Sequence, residues 1–444
     1  MKYDYDIIFL GGGLNYAGAV VASKAGLKCA LVEKNPQHLG GTCLHNGCIP
    51  SKMYIAAAES VRASKKRHFK GKISIDMETL EKEKEELLEQ ATKAITKQCE
   101  RVDIIDAEGI LSAPYTIDAE GKTLTGRHIV IGTGSKPFIP DGIAYDEKSI
   151  ITSDEVLNMK EFPEGMAVYG DGAIGLEMAS FFAASGIKTE LIWRHDTLLR
   201  RAHPSIGANM AKQMEQIGVT LSPNRSIQSA KTTKRGVHIV YIDGSESYVP
   251  KLLVATGRRA NVAVIQTDEV KVDRHGIVTD EHFETTCPDH YAVGDCNGKL
   301  MLAHAARAEV LYVVKRILGK DPEVLNLDNV VKFIHTLPCS YAVVGQNRKQ
   351  IEAEGSICKE SVVPLAGLPF SRTHDGDLGI ISVCADADGF ILGGEIFCPG
   401  AEELIAAVSM ALAGEMDVKL ARRTVLAHPT FSESLESAFK RLKD

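Results

Sequence analysis

Hydrophobic residues in this chain fall into two long stretches that follow one plan. In the first, an apolar run enters a glycine turn (YDIIFLGGG, 5–13), a helically spaced segment follows (YAGAVVASKAG), and a second run closes at Glu33 (LKCALVEK). The second stretch, MAVYGDGAIGLEMASFFAASGIKTELIW at 166–193, again reads run, glycine turn, helical spacing, run. Short runs of Val, Ile and Leu without polar alternation predict strands buried on both faces, as in a parallel sheet, and the spacing between them predicts a crossover helix. Each stretch is followed by a further strand ending in a turn of small residues, HIVIGTGSKP at 128–137 and KLLVATGRRAN at 251–261. Near the C-terminus, CPGAEELIAAVSMALAGEM predicts an acid-started amphipathic helix.

Strand, glycine turn, helix, strand is the dinucleotide-binding unit: glycines let phosphates approach the backbone at a helix N-terminus, whose unpaired N–H groups favour anions. In the first copy Gly11 and Gly13 fit, but Tyr16 occupies the third glycine position, the helix segment looks one residue short, and Gly18 lies beyond. Glu33, at the end of the second strand, suits a ribose hydroxyl pair. The second copy has Gly170, Gly172 and Gly175 in the full spacing. Its second strand ends on RHDTLLRR, with Arg194 directly after the strand and Arg200 and Arg201 beyond. A guanidinium there suits a ribose 2'-phosphate, whereas NAD would call for a carboxylate; a merely solvated basic face is the competing explanation. NADP(H) is therefore expected over NAD(H).

Composition narrows the setting. A chain of 444 residues with 44% hydrophobic and 25% charged content is an ordinary globular protein of about three domains. A net charge of -7 leaves no basic footprint for nucleic acid. No apolar run approaches a membrane span, and MKYDYDIIFL has acids where a signal peptide needs positive charge, so a cytoplasmic location is expected. Most of the ten cysteines should then be reduced and buried.

Two of them stand apart by spacing. GGTCLHNGCIPSK, 40–52, sets Cys43 and Cys48 with four residues between them. A zinc site lacks a second Cys or His pair nearby, and His45 between them is more readily explained as hydrogen-bonded than as a ligand. A static bridge suits a reducing compartment poorly. A redox-active pair remains, and such a pair needs an electron carrier.

GGTCLHNGCIPSK resembles the active-site segment of the class I pyridine nucleotide-disulfide oxidoreductases, a family that includes dihydrolipoamide dehydrogenase, glutathione reductase, trypanothione reductase and mercuric reductase. TCPDHYAVGDCNGKLMLAHAARAE resembles the family's second flavin motif, and LAHPTFSESL its C-terminal signature, so the likeness runs over essentially the whole chain. The resemblance implies an α/β fold with two Rossmann-like domains, for FAD and NAD(P), and a C-terminal α+β dimerisation domain. The expected boundaries are 1–145 for the FAD domain with the redox disulfide, 146–265 for NAD(P), 266–325 completing the FAD domain, and 326–444 for the interface domain.

It also implies roles. Cys48 would be the sulfur against the flavin and Cys43 the outer sulfur that exchanges with substrate. Lys52 and Glu177 match the ion pair beside the isoalloxazine. His428, held by Glu433, would relay a proton, and would come from the partner subunit of a homodimer. FAD would be held by Gly11, Gly13, Glu33, Gly41, Thr42, Lys52, Gly109, Thr133, Gly134 and Ser135, with Asp295 on the ribityl chain and Met301, Leu302, Ala303 and His304 along the flavin. NAD(P) would be held by Gly170, Gly172, Ile174, Gly175, Glu177, Arg194, Arg200 and Gly257. No metal is expected. In a regular helix Cys43 and Cys48, at i and i+5, would be too far apart to bridge, so the first turn must be distorted, with Gly47 supplying the freedom and Pro50 suited to an early helical position.

Within the family the signals divide. CIPSK, MLAH and GLE resemble dihydrolipoamide dehydrogenase, while RHDTLLR resembles glutathione reductase. Apolar residues near Val20 and Leu311 stand where glutathione reductase carries arginines for its substrate, Ala173 replaces its nicotinamide-lidding tyrosine, and FKRLKD ends the chain without the cysteine pair of mercuric reductase. HTLPCSYAVVG has one residue more than the family pattern, and LPFSRTHDGDLG follows it only loosely. The expected substrate is a lipoyl group, free or on a lipoyl-bearing protein partner; the alternatives are another small disulfide of glutathione-like or coenzyme A-like type, or a role as a docked flavoprotein subunit of a lipoyl-protein assembly.

Overall fold

The computed structural model describes residues 2–442. The chain divides into two compact units. One takes the chain up to Ser51, Glu78–Phe138 and Gly257–Leu327; the other takes Lys52–Met77, Ile139–Thr256 and the chain from Asp328 on.

In the first unit a seven-stranded sheet runs in the order Asp103–Asp106, Cys29–Glu33, Tyr5–Leu10, Lys122–Ile131, Thr116–Ala119, Gly109–Ala113, with His290–Ala292 also paired to Lys122–Ile131. The apolar runs 5–10 and 29–33 are parallel neighbours, as continuous hydrophobicity requires when both faces are covered. Alternate residues separate onto two cores. Ile7, Phe9, Leu31 and Val130 pack with Ala19, Ala22, Val310 and Val314 of the helices Asn15–Lys24 and Ala303–Ile317. Ile8, Leu10, Ala30, Val32, Ile129 and Ile131 face Leu111, Ile117 and Leu124 of the antiparallel strands.

The chain rejoins this sheet at Gly257 and not after 265. Arg258–Ala260 pairs antiparallel with Ser135–Pro137, Phe138 N–H donates to Gly257 O at 2.9 Å, and Leu111 N–H to Val264 O at 2.9 Å. These backbone bonds carry no side-chain pattern, so the boundary expected after 265 falls nine residues earlier.

The second unit contains a parallel five-stranded sheet, in the order Val219–Ser222, Lys188–Ile192, Gly165–Tyr169, Leu252–Val254, Ile150–Ile151, and a three-stranded antiparallel sheet over 227–249. Its C-terminal part is an antiparallel sheet ordered Lys332–Ile334, Ser340–Gly345, Ile391–Cys398, Ile380–Ala385, Lys359–Pro364. Ile405 and Val408 of the helix Ala401–Ala413, and Leu435 and Phe439 of Ser432–Arg441, bury against Ile381, Val383 and Ile396 of that sheet. The fold class is thus the α/β plan with an α+β C-terminal part. Among the described residues no helix is long and apolar enough to cross a membrane.

Candidate functional site

The cysteine segment begins where the first unit's glycine turn ends. Gly40 and Gly41 both have positive φ, and a Cβ on Gly41 would come 2.8 Å from the Gly13 Cα, so the segment lies directly on the first glycine turn. Cys43 belongs to a short helix, Gly41–His45; the chain breaks over Asn46 and Gly47; Cys48 opens the long helix Cys48–Ser64. The expected distortion is therefore a complete interruption between two helices. Gly47 makes it possible: a side chain there would meet the Thr42 carbonyl oxygen at 2.7 Å and the Cys43 Cα at 3.3 Å. This close approach folds Cys48 back toward Cys43. Cys43 is half-buried and Cys48 exposed. His45 turns inward, sharing a hydrogen bond with Leu39 O at 3.1 Å and stacking on His38, and burial lowers its pKa. It pins the short helix. Among the described residues no three His, Cys, Asp or Glu side chains cluster as a metal site.

The glycine turns differ in how they are built. In the second, Gly170 (φ +128°) has room only for hydrogen against Ala255 O, Gly175 sits against Gly170 O, and Gly172 caps the helix Ala173–Ala184 with open space before it. No side chain caps that helix and its first turn holds no acid, leaving its N–H groups for an anion. In the first turn Gly11 (φ +98°) sits against Gly132 O and Gly13 faces open space. Tyr16 stands at the third position, and the close-packing role passes to Gly18, where a Cβ would come 2.5 Å from Val310 Cγ2. The helix Asn15–Lys24 is correspondingly shorter than Ala173–Ala184. Glu33 Oε2 accepts from Gly12 N–H at 2.6 Å.

Further around the first unit, Thr133, Gly134 and Ser135 form the turn after the Lys122–Ile131 strand. Thr133 Oγ1 donates to Asn261 O, and Ser135 Oγ donates to Asp295 Oδ2. Gly109 is buried against Leu10 and Val32; Thr42 and His304 are exposed; Met301, Leu302 and Ala303 are half-buried at the start of the helix Ala303–Ile317. Gly257 (φ +120°) directly follows Ala255 and Thr256, the backbone that Gly170 lies against.

In the second unit Lys52 Nζ donates to both oxygens of Glu177, at 2.7 and 2.8 Å, and Glu177 Oε1 also accepts from His335 N–H at 2.9 Å. Ile174 is half-buried one turn before Glu177 on the same helix. Arg194, Arg200 and Arg201 are all exposed on one loop. His428 Nδ1 donates to Glu433 Oε2 at 2.7 Å; the imidazole is 79% exposed and Glu433 24%.

Comparison with known families decides what this assembly is. The profile described as pyridine nucleotide-disulphide oxidoreductase matches residues 5–309, and that of the same family's dimerisation domain matches 331–439. The chain belongs to this family. It is similar to dihydrolipoyl dehydrogenase of Bacillus subtilis (29% identical, over 99% of this chain and 98% of the relative) and to the chloroplastic dihydrolipoyl dehydrogenase 2 of Arabidopsis thaliana (32%, over 100% and 83%). Among solved structures it resembles the HOCl-induced flavoprotein disulfide reductase RclA of Escherichia coli (25% identical, TM-score 0.88, over 99% and 100%). It also shares the fold of LpdA of Mycobacterium tuberculosis (22%, TM-score 0.89, over 99% of each chain).

Pyridine nucleotide-disulphide oxidoreductases use FAD and a pyridine nucleotide, and the residues present fit both. The fit lies in the glycines: Gly13, Gly134 and Gly172 face open space beside uncapped helix starts or strand ends, a cradle that any Cβ would begin to fill. Several supporting residues escape sequence reasoning. Arg258 donates to Ser135 Oγ at 2.7 Å and to Ser135 O at 2.9 Å, so a guanidinium backs the serine that holds Asp295. Glu309, wholly buried, accepts from Gly294 N–H and Asn297 Nδ2 and fixes the turn carrying Asp295; burial pushes its carboxyl up to about 7. The arginine loop is held from behind: Asn347 Nδ2 donates to Arg201 O, Lys349 Nζ to Arg200 O, and His203 N–H to Glu395. Arg258 lies in the GRRAN turn already marked by its small residues, and Glu309 is an acid on an otherwise apolar helix face; His335 acts through its backbone and leaves no trace in sequence.

Proposed function

We propose that this oxidoreductase reduces a small disulfide at the expense of NADPH, with Cys43 and Cys48 as the exchanging pair. The observation that supports this reading is the helix interruption at Gly47, whose close approach to the Cys43 backbone ends one short helix and starts the long helix at Cys48. A helix N-terminus favours the thiolate that exchange requires.

When bound, FAD would supply the two-electron chemistry that links a nicotinamide to sulfur. Gly11, Gly13, Glu33, Ser135 and Asp295 would hold it, and Lys52, fixed by Glu177, would supply positive charge near it. In the reduced state Cys43 and Cys48 are both thiols. Cys43 thiolate then attacks the substrate disulfide, forming a mixed disulfide and expelling one thiolate, which His428 protonates from Nε2. Cys48 attacks Cys43 in turn, restoring the disulfide and releasing the second thiol. Glu433 accepts from Nδ1–H, which leaves Nε2 as the atom that moves the proton.

The exposed imidazole and the dimerisation-domain match support a homodimer in which His428 of each chain serves the cysteines of the other. Lipoamide is the first substrate to test, given the named relatives; the reductive direction agrees with the RclA likeness and with an arginine-lined 2'-phosphate site. A cytoplasmic, reducing setting suits a protein whose cysteines are mostly buried thiols.

The experiment is a panel of lipoamide, glutathione disulfide, cystine and coenzyme A disulfide, each with NADPH and NADH, on the native protein and on Arg194→Ala. The substitution should raise KM for NADPH at least ten-fold and leave KM for NADH nearly unchanged. Equal effects on both nucleotides remove the 2'-phosphate role, and no turnover with any disulfide removes the function.

A further inference from the structure

Outside the redox motif, two other cysteines stand together in the C-terminal sheet. The strand Lys359–Pro364 runs antiparallel to Ile380–Ala385 at the sheet edge, with Glu360 opposite Cys384. Cys358 immediately precedes this strand, two residues from Glu360, and alternate residues of a strand share a face. Cys358, Glu360 and Cys384 thus lie on one side of the hairpin. There Cys358 stands diagonally across the ladder from Cys384, Ser382 Oγ donates to Glu360, and Arg348 stands 3.7 Å from Glu360. The pair is asymmetric: Cys384 is 1% exposed and Cys358 half-buried.

We propose that Cys358 and Cys384 form a second, reversible disulfide when the protein meets a hydroperoxide. Cys358, the accessible member, attacks the peroxide: an S–O bond forms, the O–O bond breaks, and the departing hydroxide leaves as water, giving a sulfenic acid. Cys384 then attacks the Cys358 sulfur: the S–S bond forms, the S–O bond breaks, and the hydroxyl leaves with the Cys384 proton as a second water. Two thiols lose two electrons and one hydrogen peroxide becomes two waters.

The surroundings favour this order of events. Burial holds the Cys384 thiol protonated far above its ordinary range; at Cys358 burial, Glu360 and Glu352 also raise the thiol, but Cys384 and the charge of Arg348 oppose the rise. A disulfide needs its two Cα atoms within about 7 Å of one another. Cys358 sits where the strand ladder ends, after an exposed stretch over 352–357, so the chain has play to meet that demand. The cross-link would close the segment containing 370–379, on which Phe431 rests: Gly376 lies against its ring, and the Phe370 ring is 5.1 Å away. Phe431 lies between His428 and Glu433 in sequence, so the second disulfide would brace the segment that carries the proposed proton relay.

The test uses the full-length native protein with its cofactor. It is treated with a few equivalents of hydrogen peroxide, its remaining thiols are alkylated, and it is digested without reductant for mass spectrometry. A peptide joining Cys358 to Cys384 should rise at least ten-fold over the untreated protein and disappear on treatment with dithiothreitol. Cys358→Ser should lose it and retain disulfide turnover; should that variant not fold, Cys384→Ala serves the same purpose. A Cys358 sulfinic acid beside a fully alkylated Cys384 overturns the proposal. So does a pair that stays reduced while Cys43 and Cys48 are oxidised.

Discussion

Glu309→Gln asks whether a buried carboxyl under the Asp295 turn holds a proton near neutral pH. Its Oε2 accepts from Gly294 N–H at 2.7 Å and from Asn297 Nδ2 at 2.9 Å, while Oε1 is buried without a partner among the described residues. Desolvation outweighs both donors and raises the carboxyl from an ordinary 4.5 to about 7. Between those values the folded protein keeps a proton that the unfolded chain has lost, so this group's contribution to stability falls as pH rises through the window. Below 4.5 both states are protonated and above about 7 both are ionised, so the dependence is flat on either side. At about 1.4 kcal/mol per pH unit the fall totals roughly 3 kcal/mol. Gln cannot titrate. Its NH₂, standing where Oε1 stood, lacks an acceptor and costs about 1–3 kcal/mol at every pH. The variant should therefore be the less stable protein at pH 5 and should draw level or overtake by pH 8. Thermal unfolding of both proteins at pH 5, 6, 7 and 8 reads this directly. With about 2–4 °C per kcal/mol for a unit of this size, the difference in Tm should swing by about 6–12 °C. His128 and His290, held low by burial, titrate alike in both proteins and cancel in the difference. A difference that does not change with pH refutes the assignment.

Two further perturbations probe the chemistry and the first glycine turn. His428→Gln should lower disulfide turnover about 10²–10⁴-fold while NADPH oxidation in a single half-turnover stays near normal, with Glu433→Gln intermediate; equal losses in both half-reactions would contradict the proton-relay role. Gly18→Ala should cost about 1–3 kcal/mol, because its methyl meets Val310 Cγ2 at 2.5 Å and Phe9 Cε1 at 3.1 Å; an unchanged denaturation midpoint would show that Gly18 is not the packing glycine.

What could be read from the sequence shares one physical property: it is written in side-chain type at fixed spacing. The runs 5–10, 29–33 and 165–169 announce themselves because parallel strands need apolar residues on both faces. Gly170 and Gly175 do so because each lies against a backbone oxygen, Gly172 because it leaves the helix start open, and the interruption between Cys43 and Cys48 follows because i and i+5 cannot meet on one regular helix. What escaped is carried by backbone or by long-range partners. The return of the chain at Gly257 rests on main-chain bonds, and the hold of His335 on Glu177 is an amide any residue could supply. Gly18 was visible as a glycine, but its partner Val310 is nearly three hundred residues away in sequence.

The arginine loop shows where that division bears on function. Arg194, Arg200 and Arg201 are legible as a 2'-phosphate signal because their position after the strand is set by the glycine-turn unit itself. Their usefulness depends on being held out on a fixed backbone, since ordering a long side chain together with its loop would cost much of the binding gain. That fixing comes from Asn347 and Lys349 on the carbonyls of Arg201 and Arg200, and from Glu395 on the His203 amide, all from the C-terminal part of the chain. Glu395 is itself set by Tyr341 Oη at 2.7 Å, deep in the antiparallel sheet. The arginines thus sit on the parallel sheet's loop, while its backbone is held by residues of the C-terminal part, whose family name concerns only dimerisation. Transplanting the arginines without Asn347, Lys349 and Glu395 would carry the charge across but leave the loop to be ordered by the ligand.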